Sequence, residues 1–200
     1  MARRILVLFA HPVLERSRVN RRLMEGVRDL AGVTVHDLYE RYPTFAIDVA
    51  REQALLVEHD VVVLQHPFYW YSAPALVKEW LDLVLEHGWA YGKGGAALQG
   101  KLMFNAVTTG GGEDAYRRDG YNRFTMRELL APFDQTAYLC GMTYLAPFVV
   151  HGALRLAGES TAPAAAAYRK LLEAVRDERI DLAKAAAAAT LGEVFVEVAR

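Results

Sequence analysis

The 200-residue chain has one cysteine, Cys140. A single thiol closes no disulfide within the chain, which fits a reducing compartment and not a disulfide-stapled secreted domain. The chain also lacks a charge imbalance. Its 23 Lys and Arg stand against 24 Asp and Glu, giving a formal net charge of -1 with no long run of either sign. No nucleic-acid partner is expected, because such binding draws on neutralised phosphates. No apolar run approaches the roughly 20 residues of a membrane span. Arg3 and Arg4 precede an apolar stretch, as in a leader, but only Ile5 to Ala10 follow before His11 and Pro12 interrupt it. That run is shorter than the apolar segment of a signal peptide, so a cytoplasmic protein is expected.

Several chemical signatures are missing too. There is no Gly-x-x-x-x-Gly-Lys-Ser/Thr and no Gly-x-Ser-x-Gly, the marks of phosphate-loop enzymes and serine hydrolases. Gly92, Gly94 and Ala97 fit a dinucleotide fingerprint formally, yet they precede a strand where the fingerprint must follow one. His11, His66 and His151 all follow predicted strands, but no close-spaced ligand pair accompanies them, so no metal site is expected. Cys140 sits in an apolar helical context and is read as inert.

What is present is an alternation of strands and helices. Ile5 to Ala10 and Val61 to Leu64 are wholly apolar runs, as strands covered on both faces should be. Val33 to Leu38 alternates like an edge strand, Leu102 to Thr108 gives a fourth, and Tyr144 to Val150 a fifth interrupted by Pro147. Between them, Ser17 is placed to cap a helix carrying Leu23, Val27 and Leu30, and Asp48 to cap one over Ala50 to His59. Ala75 to Leu85 gives another helix, and Thr125 to Cys140 holds helical pieces broken at Pro132. A long helix is expected from about Ala162 to Ala189, and Val194, Val196 and Val198 could extend a sheet edge or dock on a partner. Five strands with helical crossovers make an α/β fold with a parallel sheet, for which a single flavodoxin-like domain over residues 1–200 is the natural candidate. Its ligand would lie beyond the carboxyl ends of the strands.

Three stretches fall there. His11-Pro12 with Ser17, Arg18, Val19 and Asn20 opens the first helix, where backbone amides and the helix dipole suit a phosphate. Capping alone would equally account for Ser17. Gln65-His66-Pro67-Phe68-Tyr69-Trp70-Tyr71 follows strand three; its aromatics suit a flat ligand, or a neighbouring subunit, or both. Thr108-Thr109-Gly110-Gly111-Gly112 follows strand four, and its glycines let amides approach a flat ring closely.

Taken together, these stretches resemble the NAD(P)H:quinone oxidoreductase family of flavodoxin-like flavoproteins, a three-layer fold with a five-stranded parallel sheet. With Gln65-His66-Pro67 and His87-Gly88-Trp89-Ala90-Tyr91-Gly92, the nearer resemblance is to ancillary oxidoreductases of glutathione-gated potassium-efflux systems. The resemblance spans roughly Ile5 to His151. It implies FMN, or FAD, with its phosphate on His11, Ser17, Arg18, Val19 and Asn20 and its ring between Phe68, Tyr69, Trp70, Tyr71 and Thr108, Thr109, Gly110, Gly111. NADH or NADPH would reduce the flavin and a quinone-like acceptor would oxidise it. Tyr116 resembles a tyrosine beside flavin and acceptor, and Tyr91 an acceptor-pocket tyrosine given across a homodimer interface. Family members of the larger eukaryotic type carry a histidine a few residues beyond that first tyrosine, where this chain has Tyr121 and Asn122, so no histidine-assisted charge relay is expected here. The resemblance also implies an alternative role as a regulatory ancillary subunit docked on a membrane antiporter, at the inner face of the membrane through that partner.

Overall fold

The computed structural model describes residues 2–156 and 158–198. Strands β1 (Ile5–Phe9), β2 (Val33–Asp37), β3 (Val61–Pro67) and β4 (Leu102–Thr108) are all parallel, in the order β2-β1-β3-β4. The predicted fifth strand is split. Thr143–Tyr144 (β5) and Phe148–Val150 (β6) each pair with β4, separated by Leu145, Ala146 and Pro147, because proline has no amide for the ladder.

The central strands alternate between two cores, so neither face tolerates polar side chains without partners. Ile5, Val7, Val61, Val63, Phe104 and Ala106 face one layer, formed by α1 (Val19–Glu25) and α7 (Ala162–Arg176). Leu6, Leu8, Val62, Leu64, Met103 and Val107 face the other, formed by α2 (Leu38–Arg41), α3 (Val49–Glu58), α4 (Ala75–Val84), α5 (Met126–Leu129) and α6 (Ala131–Leu139). Each of these side chains except Ala106 contributes about 1.5–3 kcal/mol when fully buried. A carboxylate sits within the second layer. Glu52 of α3 is fully buried and accepts hydrogen bonds from His36 Nε2 at 2.8 Å, Tyr42 Oη at 2.5 Å and Trp80 Nε1 at 2.8 Å.

Five expectations need correction. Ser17 does not cap α1, which starts at Val19 after a 3-10 turn over Leu14–Arg16; the Ser17 amide closes that turn on the Leu14 carbonyl at 3.0 Å. α1 is therefore short, and Val27 and Leu30 are buried beyond its end. Gln65, His66 and Pro67 belong to β3 and not to the loop after it. The long C-terminal helix is broken: α7 ends at Arg176, Glu178 takes a left-handed φ of 56°, and Asp181 caps α8 (Leu182–Ala187) by accepting from the amides of Ala183 and Lys184. Leu191–Val198 is a helix (α9) and not a sheet edge, with Val194 buried. The break at Thr125–Cys140 falls at Leu130, one residue before α6, so Pro132 sits in the first turn of α6, where its missing amide is harmless.

Candidate functional site at the carboxyl ends of the strands

After β1 the chain turns at His11. Its Nδ1 accepts from the Val13 amide at 3.2 Å, so the neutral ring carries its proton on Nε2. Burial holds the His11 pKa below the usual value, against the opposing influence of Glu15. The first turn of α1 follows, with amides that no preceding helical carbonyl satisfies. Asn20 is buried at its base and donates from Nδ2 to Thr108 Oγ1 at 2.7 Å, tying α1 to the end of β4. Gln65 donates to the Asn20 carbonyl at 3.1 Å. Asn20 Oδ1 and Gln65 Oε1 are left with no hydrogen-bond partner among the described residues.

The aromatic stretch begins where β3 ends. The Phe68 amide donates to the Thr108 carbonyl at 2.9 Å, and the chain then reverses over Tyr69 to Ser72, closed by the Ser72 amide on the Tyr69 carbonyl at 3.0 Å. Both central residues have positive φ, Trp70 at 50° and Tyr71 at 61°, as in a type I′ turn. The turn pushes Trp70 out to 93% exposure, while Phe68 stays half-buried, its ring edge-on to Tyr116 at 6.0 Å between centroids.

Past β4, Gly110 and Gly111 pass close under neighbouring side chains. A Cβ on Gly110 would lie 3.1 Å from Leu154, and one on Gly111 3.3 Å from the Tyr116 ring. A 3-10 turn over Glu113–Ala115 then brings Tyr116 back over the glycines. Burial raises the Tyr116 pKa, against the opposing influence of the nearby polar groups of Thr109, Gly111 and Asn122, so the phenol is protonated at neutral pH.

These segments enclose one cleft of about 540 Å³ lined by His11, Ser17, Arg18, Val19, Asn20, Phe68, Tyr69, Thr108, Thr109 and Gly110. A second hollow of about 330 Å³ continues it past Phe68 and Gly110 and adds Trp70, Tyr71, Gly111, Tyr116, Tyr121 and Asn122. The structure thus brings together every expected site residue except Tyr91. Tyr91 stacks edge-on with His87 at 5.5 Å and lines a separate groove of about 490 Å³ with Val77, Leu81 and Phe133, between α4 and α6. Sequence reasoning missed the segment after β6. His151 lies against Tyr116, Ala153 and Leu154 line the cleft, and Arg18 donates to the Leu154 carbonyl at 3.0 Å. Only the position of His151 after a strand hinted at this.

Comparison with known proteins agrees with the geometry. The chain is 52% identical over 169 residues, 84% of its own length and 92% of the relative's, to the glutathione-regulated potassium-efflux system ancillary protein KefG of Pectobacterium carotovorum. The general stress protein 14 of Treponema denticola, crystallised in complex with FMN, is 40% identical with a TM-score of 0.81, over 86% of this chain and 99% of that one. An NADPH-quinone reductase of P. pentosaceus is 34% identical with a TM-score of 0.76, over 84% and 96%. The model of a flavodoxin-like fold family matches residues 3–175, and with this sheet order and strand-end cleft the chain belongs to that flavodoxin-like family.

Proposed function

We propose that this chain is an FMN-dependent NAD(P)H:quinone oxidoreductase of one domain. The observation that carries the reading is the continuity of a polar end at Ser17–Asn20 with an aromatic and glycine-rich end at Phe68–Tyr71 and Thr108–Gly111. FMN is a phosphate, a polyol and a flat ring in that order. The orphaned Asn20 Oδ1 suits a polyol hydroxyl, which would satisfy an otherwise costly buried acceptor. The lack of side chains at Gly110 and Gly111 lets Leu154 and the Tyr116 ring close against the loop beside the cleft, and a protein of this fold was crystallised in complex with FMN.

Bound there, the flavin supplies two-electron transfer between substrates. Ser17 to Asn20 hold its phosphate, with His11 Nε2–H as a further donor. Phe68 to Tyr71 and Thr108 to Gly111 orient its ring and keep water from one face. The Tyr116 hydroxyl, kept protonated, donates to the acceptor oxygen on which negative charge develops. Reduced nicotinamide and quinone use the same exposed hollow in turn, which gives ping-pong kinetics. The groove that carries Tyr91 is the homodimer interface in this reading, so that Tyr91 reaches the partner's acceptor pocket.

A second reading rests on the 52% identity to KefG: the chain also docks on a potassium-efflux antiporter and regulates it. The deciding experiment is the absorption spectrum of the purified chain, identification of the flavin released on denaturation, and initial rates with NADH or NADPH against a quinone. Bound FMN with parallel double-reciprocal lines is expected. Absence of flavin overturns the reading, and FMN without quinone turnover leaves the regulatory role.

A further inference from the structure

Strand β3 ends on polar side chains where a parallel strand covered on both faces is expected to be apolar. His66 is fully buried in the layer of α2 to α6, with Asn105 of β4 and Tyr144 of β5 buried beside it. Every polar atom there needs a partner, because an unpaired one forfeits the hydrogen bonds that water would have supplied. The three side chains form one line of hydrogen bonds whose direction is fixed from one end. His66 Nδ1 lies 2.9 Å from the Pro67 carbonyl, and a carbonyl only accepts, so Nδ1 carries the hydrogen. Nε2 of the neutral ring is then an acceptor, and Asn105 Nδ2 donates to it at 3.0 Å. That leaves Asn105 Oδ1 to accept from the Tyr144 hydroxyl at 2.6 Å. Burial takes the His66 pKa down to about 4, in keeping with the neutral ring that this order of donors requires. Phe133 of α6 packs on the ring, with centroids 6.0 Å apart.

The line ends on the peptide between Pro67 and Phe68, at the entry to the aromatic turn. Its oxygen takes a second hydrogen bond from the Tyr69 amide at 3.1 Å, and its N–H donates to the Thr108 carbonyl at 2.9 Å. Three bonds thus fix the plane of this peptide. That plane sets how the chain enters the turn over Tyr69 to Ser72, in which Trp70 and Tyr71 hold positive φ. Phe68 hangs from the same peptide and borders both the cleft and the hollow, whereas His66 borders neither. Stability alone does not call for a histidine here. Apolar side chains of the same shape would fill the layer at little loss, since removing both partners of a buried hydrogen bond is nearly neutral. What such a set could not supply is the second donor on the Pro67 carbonyl.

We propose that His66 is a positioning residue for the flavin site: its Nδ1–H holds the Pro67–Phe68 peptide, and with it Phe68 and the aromatic turn, in the shape that receives the flat ring. This rests on the oxidoreductase reading above. His66 moves no proton in this role. Only one of its two nitrogens acts on the turn, so the two ends of the imidazole can be tested apart.

The test is an FMN titration of the apoprotein in the parent, His66→Asn and His66→Gln. Asparagine places its amide nitrogen near the position of Nδ1 and keeps the bond to Pro67. Glutamine places its amide near Nε2 and keeps the bond to Asn105. Each variant loses one bond, at opposite ends of the ring, so a merely structural histidine predicts similar affinity in both. His66→Gln should instead bind FMN roughly 3- to 10-fold more weakly than the parent, the equivalent of one net hydrogen bond, and His66→Asn should restore most of that affinity. Equal affinities in the two variants, or weaker binding by His66→Asn, overturn the proposal. Nitrogen NMR of the histidine-labelled, FMN-loaded parent reads the tautomer without any substitution. Nδ1–H at His66 is expected, and Nε2–H overturns the proposal even if neither variant folds. A parent that binds no FMN overturns the functional reading, and the role of His66 with it.

Discussion

Replacing Glu52 by Gln tests the hub of buried hydrogen bonds in the α2–α4 layer. The carboxylate takes three donors: Oε1 from His36 and Tyr42, Oε2 from Trp80. An amide that keeps its oxygen toward His36 and Tyr42 points its NH2 at the Trp80 N–H, so two donors face each other. One charged hydrogen bond is lost, about 1.5–3 kcal/mol, and the stranded donors cost about 1–3 kcal/mol more. Neutralising the side chain also removes part of the desolvation cost of a buried charge, which leaves a net loss of about 2–4 kcal/mol. Urea unfolding followed by the fluorescence of Trp80, which is 2% exposed, should show a lower midpoint at unchanged slope. The loss should depend on pH in a definite sense. Burial pushes the Glu52 carboxyl up, but the bonds from His36, Tyr42 and Trp80 together outweigh it and hold the folded pKa below 4.5. Such a group stabilises the fold above its unfolded pKa, and that contribution disappears as pH falls through the folded value. Parent and variant should therefore converge below pH 4.5. A loss under about 1 kcal/mol at pH 7, or one that stays constant into acid, refutes the reasoning.

Three further outcomes are expected. Replacing Ser17 and Asn20 together by leucine should weaken flavin retention, read by fluorescence titration of the apoprotein; unchanged affinity would remove the phosphate and polyol assignment. Tyr168 is fully buried against Phe148, and its hydroxyl has no hydrogen-bond partner among the described residues. Tyr168→Phe should therefore leave thermal stability unchanged or raise it, by up to about 1–2 kcal/mol, and a clear loss would mean that the hydroxyl is bonded in solution. Light scattering at micromolar concentration should give twice the 22.3 kDa chain mass, and a monomer would contradict the role given to the Tyr91 groove.

Much of the sheet was legible because burial on both faces writes itself as an unbroken apolar run. β4 falls on Leu102–Thr108 as its sequence reads, and Asp48 caps α3 from the Arg51 amide at 3.1 Å. Strand β3 was read too short for the opposite reason: Gln65 and His66 are polar yet fully buried, and their partners come from elsewhere. His66 faces Asn105, which in turn accepts from Tyr144 at 2.6 Å, and burial takes the His66 pKa down to about 4, so the ring is neutral. No local pattern announces such a network. The break between α7 and α8 was hidden because alanine favours helix wherever it stands, and here tertiary packing of Ile180 and Ala185 decides. Of the cleft, the three strand-end stretches were visible by residue type. The strap from His151 to Leu154 was not, since only the pairing of β6 with β4 brings it there.

The turn at Trp70 and Tyr71 bears on protein engineering. Asparagine and glycine fill such a pair of left-handed positions at little cost, whereas each bulky residue there carries about 1–3 kcal/mol of backbone strain. A thermostability screen blind to ligands would thus favour Asn-Gly at this corner and accumulate variants that melt higher while losing two rings from the rim of the hollow. Scoring the same library for heat resistance and for turnover should place this corner among the sites where the two rankings disagree most.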